Sequence, residues 1–184
     1  NVVELGYQPN IFARRLAFRN PKCLGFVIPS REGQLNDPFL GELMTGMLTS
    51  LTEIGWDLAM LVTKSFENEV ALFKKLSISK DFYGLTISRT LKNDKRFKIL
   101  TDLKIPFVAH GRSLNCSSSS WLDIDNERAF NNVIKHFVSL GHRKIAHICG
   151  PKVYNFSIQR IEGLKKALFE TGIQIKSDFL QVAD

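Results

Sequence analysis

Residues 121–148 read WLDIDNERAFNNVIKHFVSLGHRKIAHI, and the order of patterns within them decides the fold class. Residues 121–124 are mostly large and apolar, as in a short strand. From Asn126, the residues Ala129, Phe130, Val133, Ile134, Phe137 and Val138 fall on one side of a helix. Gly141 stops that helix, and residues 144–148 return to an apolar run. Strand, helix and strand in this order predict a βαβ unit and hence a parallel sheet.

The same alternation extends in both directions. Strands are expected at residues 23–28, 56–62, 83–88 and 107–109, several of them apolar throughout, as when both faces are covered. Phe39, Leu43, Met47 and Leu51 recur at fourfold spacing with Leu40, Met44 and Leu48 beside them, which predicts a broad helical face. Asp37 followed by Pro38 supplies its cap and first turn. A weaker helix is expected over residues 67–76, and another over 157–170, ending at Gly172. Ser117 to Ser120 reads as a surface loop. Residues 173–184 begin another loop and strand, so the sheet started at Ile145 has too few members and a longer protein is expected. The first twenty residues differ: Gly6 and Pro9 break the chain, and residues 10–18 form one short helix before Asn20 and Pro21.

At 184 residues and 44% apolar, the chain is long enough to fill about one domain's core. No stretch approaches the roughly 18 apolar residues of a membrane span, and the N-terminus lacks a secretory apolar region, so no membrane association and a cytoplasmic location are expected. Cys23, Cys116 and Cys149 are widely spaced, with no pairing of the zinc-site kind, and read as reduced thiols; no metal and no cofactor are expected. The formal charge of +7 is unevenly spread. Arg14, Arg15, Arg19, Lys22 and Arg31 face only Glu4 in the first sixth of the chain, which holds more than half the excess. That distribution fits a nucleic-acid partner, although surface lysines alone give such totals.

Three stretches, LGYQPNIFARRL (5–16), WLDIDNERAF (121–130) and LGHRKIAHICG with the downstream QRIEG (140–163), occur in the order and approximate spacing of the lactose-repressor family. The chain resembles that family across nearly its whole length. The resemblance implies an α/β fold of the periplasmic-binding-protein type, with parallel Rossmann-like lobes behind an N-terminal hinge helix. Residues 1–21 would then be the end of a helix-turn-helix domain, a linker and the hinge helix. Residues 22–125 would form the N-terminal effector-binding lobe, and 126–184 the start of an incomplete C-terminal one. It also implies a homodimeric, ligand-responsive repressor of operator DNA. Leu16 would wedge into the minor groove, and Asn10, Arg14 and Arg15 would contact groove or phosphates.

Open α/β sheets bind ligands at the C-terminal ends of their strands. Those ends offer Asp37 and Phe39, Ser88 and Arg89, His110 and Arg112, and Asp125. Arg160, three residues before Gly163, matches the family's effector-contacting arginine. Asp125 and Arg160 are expected to hold a polar effector, such as a sugar, between them in an inter-lobe cleft, since guanidinium and carboxylate groups bind hydroxyls bidentately and a phenyl ring covers a sugar's apolar face. Asp37 and Asp125 read equally as helix caps, Phe39 as core and His110 as a structural loop residue. His136, His142 and His147 read as structural.

No GxSxG elbow, GxxxxGK[ST] loop or GxGxxG after the first strand is present, and Pro29-Ser30-Arg31-Glu32-Gly33 offers no phosphate loop. An enzyme on a Rossmann-like sheet is therefore disfavoured. An exported solute-binding protein of a sugar transporter, the alternative function, would carry a signal peptide where LGYQPNIFARRL stands.

Overall fold

A computed structural model describes residues 21–29, 37–114, 119–174 and 179–183. The expected hinge segment, with Asn10, Arg14, Arg15 and Leu16, lies outside the described residues, as does Cys116. The chain divides into two compact units, one running through Thr86 and including Asp102–Pro106, the other holding Ile87–Thr101 and everything from Phe107 onward.

In the first unit, β1 (Cys23–Pro29) pairs in parallel with β2 (Asp57–Thr63), Cys23 opposite Asp57 and Pro29 opposite Thr63. On its other side runs β3 (Gly84–Ile87), and just ahead of it the Tyr83 amide donates to the Cys23 carbonyl at 2.9 Å. β1 is apolar and buried along most of its length, as a strand with neighbours on both sides should be. The helix α1 (Pro38–Glu53) begins as expected: the Asp37 carboxylate accepts from the Phe39 amide at 3.0 Å, and Pro38 opens the first turn. Its Leu40, Leu43, Met44 and Met47 pack with Phe26 and Ile28 of β1 and Leu58 of β2. α2 (Phe66–Ser79) is longer than the weak sequence pattern suggests: the Ser65 hydroxyl caps its start by accepting from the Asn68 amide at 3.2 Å, and it runs on to Ser79, ending at Lys80 in left-handed backbone.

The second unit contains α3 (Lys95–Asp102), which sequence periodicity does not predict. β4 (Phe107–His110) pairs in parallel with β5 (Ser120–Leu122), and β6 (His147–Cys149) with β7 (Leu180–Val182). β7 answers the strand expected after Gly172, and β6 starts later than expected because Arg143 to Ala146 belong to the approach. Cover on both faces, expected for several strands, is not found in β5, where every residue is exposed, or in β2, where only Thr63 is buried. Among the described residues each of these is an edge strand with a single strand neighbour.

α4 (Asn126–Ser139) and α5 (Asn155–Glu170) form the core of this unit, with Ile134, Leu164, Ala167 and Leu168 buried among Phe130, Val138, Ile145 and Ile173. Gly163 makes their approach possible, because a Cβ there would collide with the Glu127 carbonyl. Gly141 ends α4 in left-handed backbone, at φ +90°.

Candidate functional site

The loop after β3 carries Ser88 and Arg89, and a buried ion pair shapes it. Arg96 at the start of α3 meets Asp94 at 2.6 Å, with both side chains almost wholly covered. The same guanidinium donates to the carbonyls of Ser88 at 3.0 Å and Arg89 at 3.3 Å. Asp94 accepts from the Leu91 amide at 3.1 Å, and its own amide donates to the Ser113 hydroxyl at 3.0 Å. Held this way, Ser88 is buried, and Arg89 takes a left-handed conformation, φ +53°, that a side chain adopts only when its surroundings impose it.

β4 ends at His110, and the loop after it carries Arg112. The backbone amide and the Nε of Arg112 both donate to one oxygen of Asp123, at 3.1 and 3.0 Å, and its guanidinium lies 5.6 Å from the centre of the Trp121 ring. Arg112 therefore has a committed acidic partner. Burial pushes the His110 imidazole below its usual range, against the opposing pull of Asp123.

Both loops are tied to the start of α5. The Asn155 amide donates to the Thr90 carbonyl at 2.9 Å, its side chain donates to the Arg112 carbonyl at 2.8 Å, and Leu91 forms an isolated antiparallel bridge with Tyr154. Next to this junction the Tyr154 and Phe156 rings stack nearly parallel, with centres 5.4 Å apart. The Arg89 guanidinium stands 5.9 Å from the Tyr154 ring, and that of Arg160 stands 5.0 Å from Phe156 and 5.8 Å from Phe130. Such contacts hold a guanidinium in place without neutralising it.

Arg160 is half-buried, and its Nε donates to the side-chain oxygen of Asn126 at 2.8 Å. Asn126 is itself buried and donates to the Ile124 carbonyl at 2.9 Å and the Gln159 side chain at 3.4 Å. Asp125, by contrast, is exposed and caps α4 by accepting from the Arg128 amide at 3.0 Å. The residue bonded to Arg160 is thus Asn126, next to Asp125 in the chain. His147 packs edge-on against Phe130 at 5.0 Å, and burial together with the nearby Arg160 charge pushes its imidazole below the usual range.

Ser88, Arg89, His110, Arg112, Asp125 and Arg160 all belong to the second unit. Asp37 and Phe39 belong to the first, where Asp37 caps α1 and Phe39 is 48% exposed, which corrects the alternative reading of Phe39 as core. Sequence reasoning missed Asn126, Tyr154, Asn155 and Phe156. Asn126 was visible as the second letter of the Asp-Asn pair that opens α4; the other three precede or begin α5, two residues ahead of where periodicity starts it.

Comparison with known proteins agrees with this architecture. The chain is 36% identical over 175 residues to the HTH-type transcriptional regulator AglR of Rhizobium meliloti (strain 1021), an alignment covering 95% of this chain and 49% of that protein. It is 26% identical over 186 residues to the HTH-type transcriptional regulator CelR of Thermobifida fusca, covering 100% of this chain and 54% of CelR. It thus spans about half the length of these relatives. A crystal structure of a LacI transcriptional regulator from Bacillus cereus subsp. cytotoxis NVH 391-98 superposes with a TM-score of 0.81 at 26% identity, covering 90% of this chain and 59% of that one. A structure of the CelR–cellobiose complex superposes with a TM-score of 0.80 at 24% identity, covering 100% and 54%. Residues 22–184 match the family described as periplasmic binding proteins and sugar binding domain of the LacI family, and the chain belongs to that family.

Proposed function

We propose that this chain is the effector-sensing part of a transcriptional repressor that binds operator DNA as a homodimer and responds to a small polar ligand, a sugar or sugar derivative. Residues 1–21 would serve the DNA end, with Asn10, Arg14, Arg15 and Leu16 as its contacts; residues 22–125 and 126–184 would be the two effector-binding segments. The observation that carries this reading is Arg160, a half-buried guanidinium fixed by the neutral oxygen of Asn126 and by two aromatic rings. A guanidinium oriented in this way, with capacity left over, suits a ligand's hydroxyl pair or acidic group.

Family membership and the regulators among its relatives favour sensing over transport or catalysis. Cellobiose bound to CelR is the precedent for a saccharide. Arg89, on the strained backbone after β3, and His110 at the end of β4 are the next candidates for ligand contact, while Ser88, Arg112 and Asp125 act through the loops and caps they hold. Asp37 and Phe39 remain candidates on the strength of their position after β1. Among the described residues no helix is long and apolar enough to cross a membrane.

Effector binding and operator binding are then linked, typically by about 1 to 3 kcal/mol. Operator titrations of the full-length protein with and without saccharides test the reading. A saccharide that shifts operator affinity supports it, and indifference to every ligand that binds the protein contradicts it.

A further inference from the structure

The first turn of α5 is arranged to receive negative charge that its own residues do not provide. The N-cap residue, Tyr154, makes no side-chain capping bond, and the first turn holds no acidic residue. The leading amides of a helix have no acceptor within it and carry the positive end of its dipole. The Asn155 amide is satisfied by the Thr90 carbonyl at 2.9 Å, but no acceptor faces those of Phe156 and Ser157 among the described residues.

A second, independent observation lies in that same turn. The Ser157 side chain is 1% exposed, and its hydroxyl has no hydrogen-bond partner among the described residues. It rests against the loop that joins β6 to α5, 3.0 Å from where a Cβ on Gly150 would stand. A buried hydroxyl without a partner is costly and uncommon, and it calls for a bonding group that the chain itself does not contribute.

One turn further along the same helix face stands Arg160, three residues after Ser157. Its hydrogen-bond partner is the neutral Asn126 oxygen, and no carboxylate pairs with it among the described residues. Nearby carboxylates have partners of their own: Asp123 pairs with Arg112 at 3.0 Å, Asp94 with Arg96, and Asp125 caps α4. A strand, a short loop that opens with Gly150 and an open helix N-terminus form an arrangement suited to anions.

Resting on the effector site described above, we propose that the effector is an anion. It is a sugar bearing a phosphate or carboxylate whose oxygens accept from the Phe156 and Ser157 amides, the Ser157 hydroxyl and the Arg160 guanidinium.

The test is calorimetric titration of the full-length protein at constant ionic strength with inorganic phosphate, glucose 6-phosphate, glucuronate, glucose and cellobiose. Glucose 6-phosphate or glucuronate is expected to bind at least tenfold more tightly than glucose and cellobiose, the preferred arm separating phosphate from carboxylate. Inorganic phosphate should compete with it. Ser157→Ala should weaken the charged ligand roughly tenfold or more, the loss expected for a hydrogen bond to a charged group, with an unchanged circular dichroism spectrum. Equal or tighter binding of glucose or cellobiose overturns the anion proposal and leaves the saccharide-sensing reading standing. Charged-ligand affinity that survives Ser157→Ala intact, or no binding by any phosphate or carboxylate compound, also overturns it. In the last case, a separate saccharide screen decides the wider reading.

Discussion

Arg160 on α5 donates its Nε–H to the side-chain oxygen of Asn126, the first residue of α4, at 2.8 Å. The bond joins two helix N-terminal regions and sets the direction of the guanidinium, while the rings of Phe130 and Phe156 limit its remaining freedom. Asn126 is thereby a positioning residue for the candidate effector contact.

Asn126→Ala should therefore weaken effector binding by about 1 kcal/mol, a typical net value for one hydrogen bond. Asp125→Ala should mainly lower stability, by about 1 kcal/mol for a lost cap. Calorimetry with the cognate effector beside urea denaturation separates the two. The account is contradicted if Asp125→Ala takes the larger affinity loss.

Gly163→Ala should destabilise the protein by about 3 kcal/mol, at the upper end of overpacking costs, because the added methyl meets the rigid backbone of Glu127. Chemical denaturation measures this directly, and a change below about 0.5 kcal/mol, the usual range for a neutral surface substitution, would mean that the two helices separate easily.

Asp94→Ala leaves the buried Arg96 guanidinium without its carboxylate and should cost about 3 to 5 kcal/mol, the usual penalty for breaking a buried pair. Adding Arg96→Met to it should recover part of that loss, since the uncompensated charge is then gone. A double variant less stable than the single one would show that the arginine's bonds to the Ser88 and Arg89 carbonyls dominate.

His110 and His147 both have their proton affinity lowered in the folded state, chiefly by burial. The unfolded chain then binds more protons than the folded one as pH drops below about 6.5, the free-histidine value. Their contribution is fully present above that pH and is lost on acidification through the folded-state values. Thermal melting should fall between pH 6.5 and pH 5, before the carboxylates titrate, and His147→Gln should flatten that slope. A slope unchanged by His147→Gln and by His110→Gln would refute the assignment.

The parallel α/β fold was legible because the apolar runs and helical faces are strongly periodic, and because Asp37, Gly141 and Gly172 mark element ends with definite backbone chemistry. α3 was not, since its sequence KRFKILTD is short and charged, and the buried pairing of Arg96 with Asp94, just ahead of the helix, has no periodic signature. At the site, position after a strand placed Arg89 in a loop, whereas His110 proves to be the last residue of β4, and position alone could not distinguish a carboxylate that caps from one that reaches inward. Asp125 and Asn126 differ by one residue, about 100° around a helix, and only the packing of α4 on α5 determines which of them meets Arg160.

The most direct measurement is a thermal-shift screen of neutral saccharides, sugar phosphates and sugar acids on the full-length protein and its Arg160→Ala variant. A cognate ligand at 100 times its dissociation constant should stabilise the parent by about 2.7 kcal/mol. Arg160→Ala should remove about 1.5 to 3 kcal/mol of binding while the ligand-free melting temperature stays close to the parent's. The account is contradicted if no saccharide of any class shifts the melt, or if the shift survives undiminished in the folded Arg160→Ala variant.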